Sequence, residues 1–110
     1  MVNSQNNCIP DELIDKRIEA LINQFFKILP LRESEESSLP AYMRSLQREL
    51  IGLQGLAIRL QTDVQYITVL SILQYLISHD CTVHTVKTEV FKAISLLKQM
   101  GKQNERRRRG

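Results

Sequence analysis

Met43–Ser78 reads MRSLQRELIGLQGLAIRLQTDVQYITVLSILQYLIS, and how this run is divided decides the fold. Met43, Leu46, Leu50, Leu53, Ala57 and Leu60 recur at three, four, three, four and three residues, the stripe of an amphipathic helix. The spacing predicts a helix that begins near Pro40, with Ser37 or Ser38 in the cap region. Thr62-Asp63-Val64-Gln65 fits a capping box, a threonine with a glutamine three residues on, so a further helix is expected to start there. No Gly or Pro separates the two helices, and the stripe continues in phase through Val64 and Ile67. One unbroken helix over residues 40–78 is the alternative, and it would favour a swapped or extended dimer. Tyr66, Ile67, Val69, Leu70, Ile72, Leu73, Tyr75, Leu76 and Ile77 leave the second half of the run apolar nearly all round, as in a helix buried on several sides.

Upstream, Ile14, Ile18, Leu21, Phe25 and Ile28 form a first helical stripe, widened by Leu13, Ile22, Phe26 and Leu29. Pro10 suits the first turn of that helix, and Asp11, Glu12 and Asp15 complement its positive end. Pro30 is expected to stop it, and Leu31–Ser38 (LRESEESS) reads as an acidic, serine-rich linker. Downstream, Ser78–Thr82 reads as a turn, with Asp80 or Thr82 capping a fourth helix. Val83, Val86, Val90, Ala93, Leu97 and Met100 lie on the stripe of that helix, and Gly101 is its expected stop. No segment alternates convincingly as a strand. The fold class is all-α, a small antiparallel bundle of about four helices. Residues 1–9 are a flexible lead-in, 10–101 the bundle domain and 102–110 a basic disordered tail.

With 110 residues, 43% hydrophobic and 25% charged, the chain has one domain's worth of length and is too apolar for wholesale disorder. A domain of this size buries roughly 65% of its unfolded surface, enough for a core with little margin. Two cysteines and a polar start, Met1–Asn7, argue against a disulfide-stapled secreted scaffold and point to the cytoplasm. Val64–Ser78, at 15 uncharged residues, falls short of the roughly 20 that a membrane span requires. The net charge of +3 hides a split. Residues 1–38 carry seven acids against four bases, 39–80 balance, and 81–110 carry eight bases against Glu89 and Glu105. Half of those eight bases are the run Arg106-Arg107-Arg108-Arg109.

Little in the sequence points to catalysis. His79, Cys81, His84 and Asp80 cluster at a turn, but their spacing does not match a zinc clip, and the other cysteine, Cys8, lies in the lead-in. The cluster reads better as a polar helix–helix connection. No nucleophile elbow, Walker loop or dinucleotide glycine pattern occurs, and Glu33, Glu35 and Glu36 sit in a linker where carboxylates are solvated. The expectation is a protein that is not an enzyme and has no cofactor, metal or small-molecule substrate.

Four features point instead to partners. Gly52 and Gly55 interrupt a good helical pattern at about 1 kcal/mol each relative to Ala, which favours close approach of another helix, in the same chain or a dimer mate. Arg44, Arg48 and Arg59 share their face and form a candidate docking surface for an acidic partner. Lys98, Lys102, Arg106, Arg107, Arg108 and Arg109 attract polyanions, nucleic acid or an acidic protein. Ile51, Leu56, Ile58 and Leu96 lie beside the stripes, and with the third helix they leave surplus apolar surface. That surplus predicts a homodimer through Gly52, Gly55, Ile67, Leu70 and Leu73.

The resulting expectation is a self-associating interaction module with a basic tail. A DNA-binding regulator is the alternative. A helix-turn-helix across Ile72–Leu97 would offer Thr85, Lys87, Thr88 and Lys92, although its turn lacks glycine. In outline, a small helical bundle with a charged tail also resembles bacteriocin-immunity proteins and small phage or plasmid accessory proteins. That likeness is architectural and implies no site residues.

Overall fold

The computed structural model describes residues 11–109 of the chain, with side chains described over 12–100. Four helices follow one another: α1 (Asp11–Glu33), α2 (Leu39–Leu56), α3 (Val64–Ser78) and α4 (Val83–Arg109). A 3-10 turn at Ile58–Gln61 joins α2 to α3, and no strand occurs among the described residues. Helix α1 lies against α2 and α4, and α3 lies against the same two. Gln47 of α2 meets Gln74 of α3, whereas the later Leu50 meets the earlier Tyr66, so these two helices run antiparallel. The architecture is a small all-α bundle.

The stripes read from the sequence are the surfaces that become buried. Ile14, Ile18, Leu21, Phe25 and Ile28 of α1 face Leu46, Leu50 and Leu53 of α2, Tyr66, Val69 and Leu73 of α3, and Val90, Ala93 and Leu97 of α4 across one core. Val83, expected on the α4 stripe, is exposed at the first position of that helix. Glutamine amides latch the rims. Gln24 Nε2 donates to Glu49 Oε1 at 3.3 Å, Gln47 Nε2 to Gln74 Oε1 at 2.6 Å, and Gln65 Nε2 to Gln99 Oε1 at 2.8 Å.

Residues 40–78 form two helices, and the single long helix is excluded. Ala57 leaves helical geometry at φ −123° and ψ 100°, and the 3-10 turn follows. Two glutamines supply the break with donors: Gln54 Nε2 bonds the Leu60 carbonyl at 3.2 Å, and Gln61 Nε2 bonds the Gln54 carbonyl at 3.3 Å. Ala57 and Leu60 still point inward, 2% and 0% exposed. The apolar period therefore survives a change of direction that the period alone does not reveal. The cap of α3 is Asp63, whose Oδ1 accepts the Tyr66 N–H at 3.1 Å, one residue later than the expected Thr62.

Two expected helix stops are absent. Pro30 lies inside α1, at an exposed position where the carbonyl of Phe26, deprived of its helical donor, can be solvated. The helix closes a turn later. Glu36 N–H donates to the Leu31 carbonyl at 3.0 Å and Glu35 N–H to that of Arg32 at 3.1 Å, with Glu35 in the left-handed region at φ 53°. At the other end, α4 runs through Gly101 to Arg109, so the backbone of residues 102–109 is helical where a disordered tail was expected. A single glycine costs a helix only about 1 kcal/mol, and Lys, Gln, Glu and Arg are good helix formers. The cations also complement the negative end of the helix dipole. The lead-in at 1–9, with Cys8, lies outside the described residues.

Tyr66 ties the two halves of the decisive run together. Its buried hydroxyl donates to the Leu50 carbonyl at 2.6 Å. Tyr66→Phe removes that bond while the Leu50 carbonyl keeps its place in the α2 ladder, and urea unfolding should show a loss of about 0.5–1.5 kcal/mol. Burial pushes the Tyr66 phenol well above its ordinary value. The Tyr42 phenol is raised too, first by burial and then by the Glu49 carboxylate. Both groups stay protonated in the fold, while the unfolded chain releases these protons near pH 10. The stability they contribute is complete below about pH 10 and declines as pH rises beyond it. Unfolding measured across alkaline pH should show that decline, and Tyr66→Phe should make it shallower.

Candidate interaction surface

The residues weighed for chemistry do not converge. His79 is exposed, stacks on the Tyr75 ring at a centroid distance of 4.4 Å, and places Nδ1 3.0 Å from the Tyr75 carbonyl. Cys81 is half-buried, and its carbonyl accepts a 3.0 Å bond from Arg32 Nη2. His84 and Asp80 are exposed. Thr82 caps α4 through its hydroxyl, which accepts the Thr85 N–H at 3.1 Å. Among the described residues no group of three or more His, Cys, Asp or Glu is placed to hold a metal ion. Glu33, Glu35 and Glu36 are exposed around the closure of α1.

The arginine stripe is divided by the helix break. Arg44 and Arg48 are exposed on α2. Arg59 belongs to the 3-10 turn and is half-buried, with Nε and Nη2 shielded from solvent, so it does not extend the α2 face. On α4, Lys87, Thr88, Lys92 and Lys98 are exposed and Thr85 is half-buried. Lys102 and Arg106–Arg109 belong to α4, and their side chains lie outside those described.

The residues expected to mediate self-association separate into two sets. Leu73 is fully buried and Leu70 packs half-buried against the core, so α3 turns these two inward; Ile67 stays 42% exposed. Gly52 and Gly55 are exposed on α2, and a Cβ built on either would meet nothing within 4 Å. Close packing of another helix of the same chain is therefore not their reason.

A groove runs between α1 and α2 beside Gly52. Leu13, Arg17, Ala20 and Leu21 line one wall and Glu49, Gly52, Leu53 and Leu56 the other, around a volume of about 250 Å³. Leu21 and Leu53 belong to the core below, whereas Leu13 and Leu56 remain exposed. The remaining exposed apolar side chains are distributed unevenly. Phe26 and Phe91 meet edge to face at 6.0 Å between α1 and α4, and Tyr75 carries His79. Ile51, Leu56, Ile58, Val64 and Ile67 gather where α2 passes into α3. Leu56 was legible in the sequence as a residue off its stripe. Arg17, Ala20 and Glu49 carry no signal of their own, because two helices have to meet before they line anything.

Among the described residues no helix is long and apolar enough to cross a membrane. Compared with known families, with characterised proteins and with solved structures, the chain matches none.

Open space at Gly52 and Gly55 makes a direct prediction for the isolated fold. Gly52→Ala and Gly55→Ala should each raise stability by about 1 kcal/mol, the helix-propensity difference with no clash to offset it. Urea unfolding at a protein concentration low enough to suppress association measures it.

Proposed function

We propose that this chain is a non-enzymatic interaction module, a helical bundle that self-associates as a homodimer and contacts a polyanion through the basic end of α4. The observation that carries the first part is the apolar surface left outside the core. Leu13, Ile51, Leu56, Ile58 and Val64 are 40%, 53%, 53%, 57% and 74% exposed, on the start of α1, the second half of α2, the 3-10 turn and the start of α3. Several large apolar side chains left exposed on a small domain are a mark of association. The half-buried free thiol of Cys81 suits a reducing compartment, the cytoplasm in this reading.

The second part rests on charge. Eight of the fifteen Lys and Arg residues fall within 81–110, and six of those eight lie from Lys98 onward. Sedimentation velocity of the full chain across a hundredfold concentration range should show a monomer–dimer transition. Fluorescence anisotropy with a mixed-sequence duplex should show binding whose logarithm falls with log salt at a slope near −4, for about four to five phosphate contacts at roughly −0.9 each. Replacing Arg106–Arg109 with serine should remove most of that slope. A monomer at every concentration overturns the first part, and salt-insensitive or absent binding overturns the second.

The exposure of Lys87 and Lys92 favours a second reading, a DNA-binding regulator that uses α4. In that case Lys87→Ala with Lys92→Ala abolishes duplex binding, while loss of the arginine run only weakens it.

A further inference from the structure

We infer that the α1–α2 groove is the face through which two copies of this chain meet, with a two-fold axis in the plane of the groove and inclined to it, so that α1 of each copy crosses α2 of the other. The inference rests on the self-association reading and specifies its surface.

Three properties of the groove favour a second copy as the occupant. Its rim is apolar and exposed, Leu13 on one wall and Leu56 on the other, so a covering surface removes both from water. Its middle is small: Ala20 and Gly52 stand on opposite walls, and nothing lies within 4 Å of a Cβ placed on Gly52. A helix from outside can therefore approach the α2 backbone at Gly52 with no side chain in the way. Its charges are opposite and divided, Arg17 on α1 and Glu49 on α2, both exposed.

The charge division selects the partner. An isologous interface requires that residue i meet j and that j meet i. Glu49 sits beside Gln24, about two turns along α1 from Arg17, so a two-fold axis inclined to the groove exchanges the two walls and brings Arg17 to Glu49 of the partner subunit, with Glu49 receiving an arginine in return. The pattern is complementary to itself, and two ion pairs form at the edges of one apolar seam. The Gln24 amide that bonds one oxygen of Glu49 at 3.3 Å leaves the other oxygen for the partner and holds the carboxylate at the groove.

The test is sedimentation velocity of the full chain with Arg17→Glu, Glu49→Arg and the double exchange, alongside Gly52→Gln and Ile67→Lys. Each single exchange makes two facing pairs repulsive and should weaken dimerisation by about tenfold or more. The double exchange should restore it to within about threefold of the original, an outcome that a loss of folding cannot mimic. Gly52→Gln fills the groove and should abolish the dimer while thermal unfolding at low concentration shows a monomer at least as stable as before. Ile67→Lys lies off the groove and should leave the dimer intact. Association that survives the single exchanges, or fails to return in the double, overturns the inference while the self-association reading stands. Loss of the dimer in Ile67→Lys with its retention in Gly52→Gln moves the interface to α3 and overturns it as well. A wild-type chain that stays monomeric removes the self-association reading itself.

Discussion

The passage from α2 to α3 has to change the direction of the chain without taking the apolar stripe out of the core, and the rest of the bundle depends on how it does so. Ala57 breaks the helix, one 3-10 turn carries Leu60 back inward, and Asp63 starts the next helix by accepting the Tyr66 N–H. Gln54 and Gln61 bond carbonyls that the break would leave without donors. Tyr66 then reaches back to the Leu50 carbonyl, which fixes α3 against α2 rather than in line with it. Without that reversal the two stripes would form one extended apolar face and the core would need a second chain to close.

The same passage decides which apolar side chains are left outside. A helix that is apolar all round can be covered on only some of its sides by two neighbours, and α3 has α2 and α4. Tyr66, Val69, Leu73 and Leu76 take the covered sides, and Ile67 and Tyr75 do not. Around the passage itself, residues in the 3-10 turn and at the helix ends have fewer neighbours than residues in mid-helix. Ile58 and Val64 are accordingly among the most exposed apolar groups described, at 57% and 74%. The groove between α1 and α2 opens at this end as well, through Leu13 and Leu56.

Charge follows a simpler logic. The acidic first third and the basic last third of the chain include the two helices in closest mutual contact, α1 and α4. Opposite net charges on adjacent elements reduce self-repulsion in a domain with little core to spare.

The sequence alone determined the fold class and nearly all of the core. Burial of a stripe is a local, periodic property, and the positions from Ile14 to Ile28 and from Met43 to Leu60 are spaced for one helical face whatever lies opposite. The break at Ala57 was only half legible, because the 3-10 turn preserves the period while changing the direction. Pro30 and Gly101 misled in the same way: each weakens a helix by an amount that the surrounding positions outweigh. Only the tertiary structure could decide that Leu73 lies inside, that Arg59 leaves the α2 face, and that Gly52 looks into open space beside Arg17 and Glu49. Those are relations between residues on different elements, and no periodicity within one helix carries information about what a second helix sets beside it.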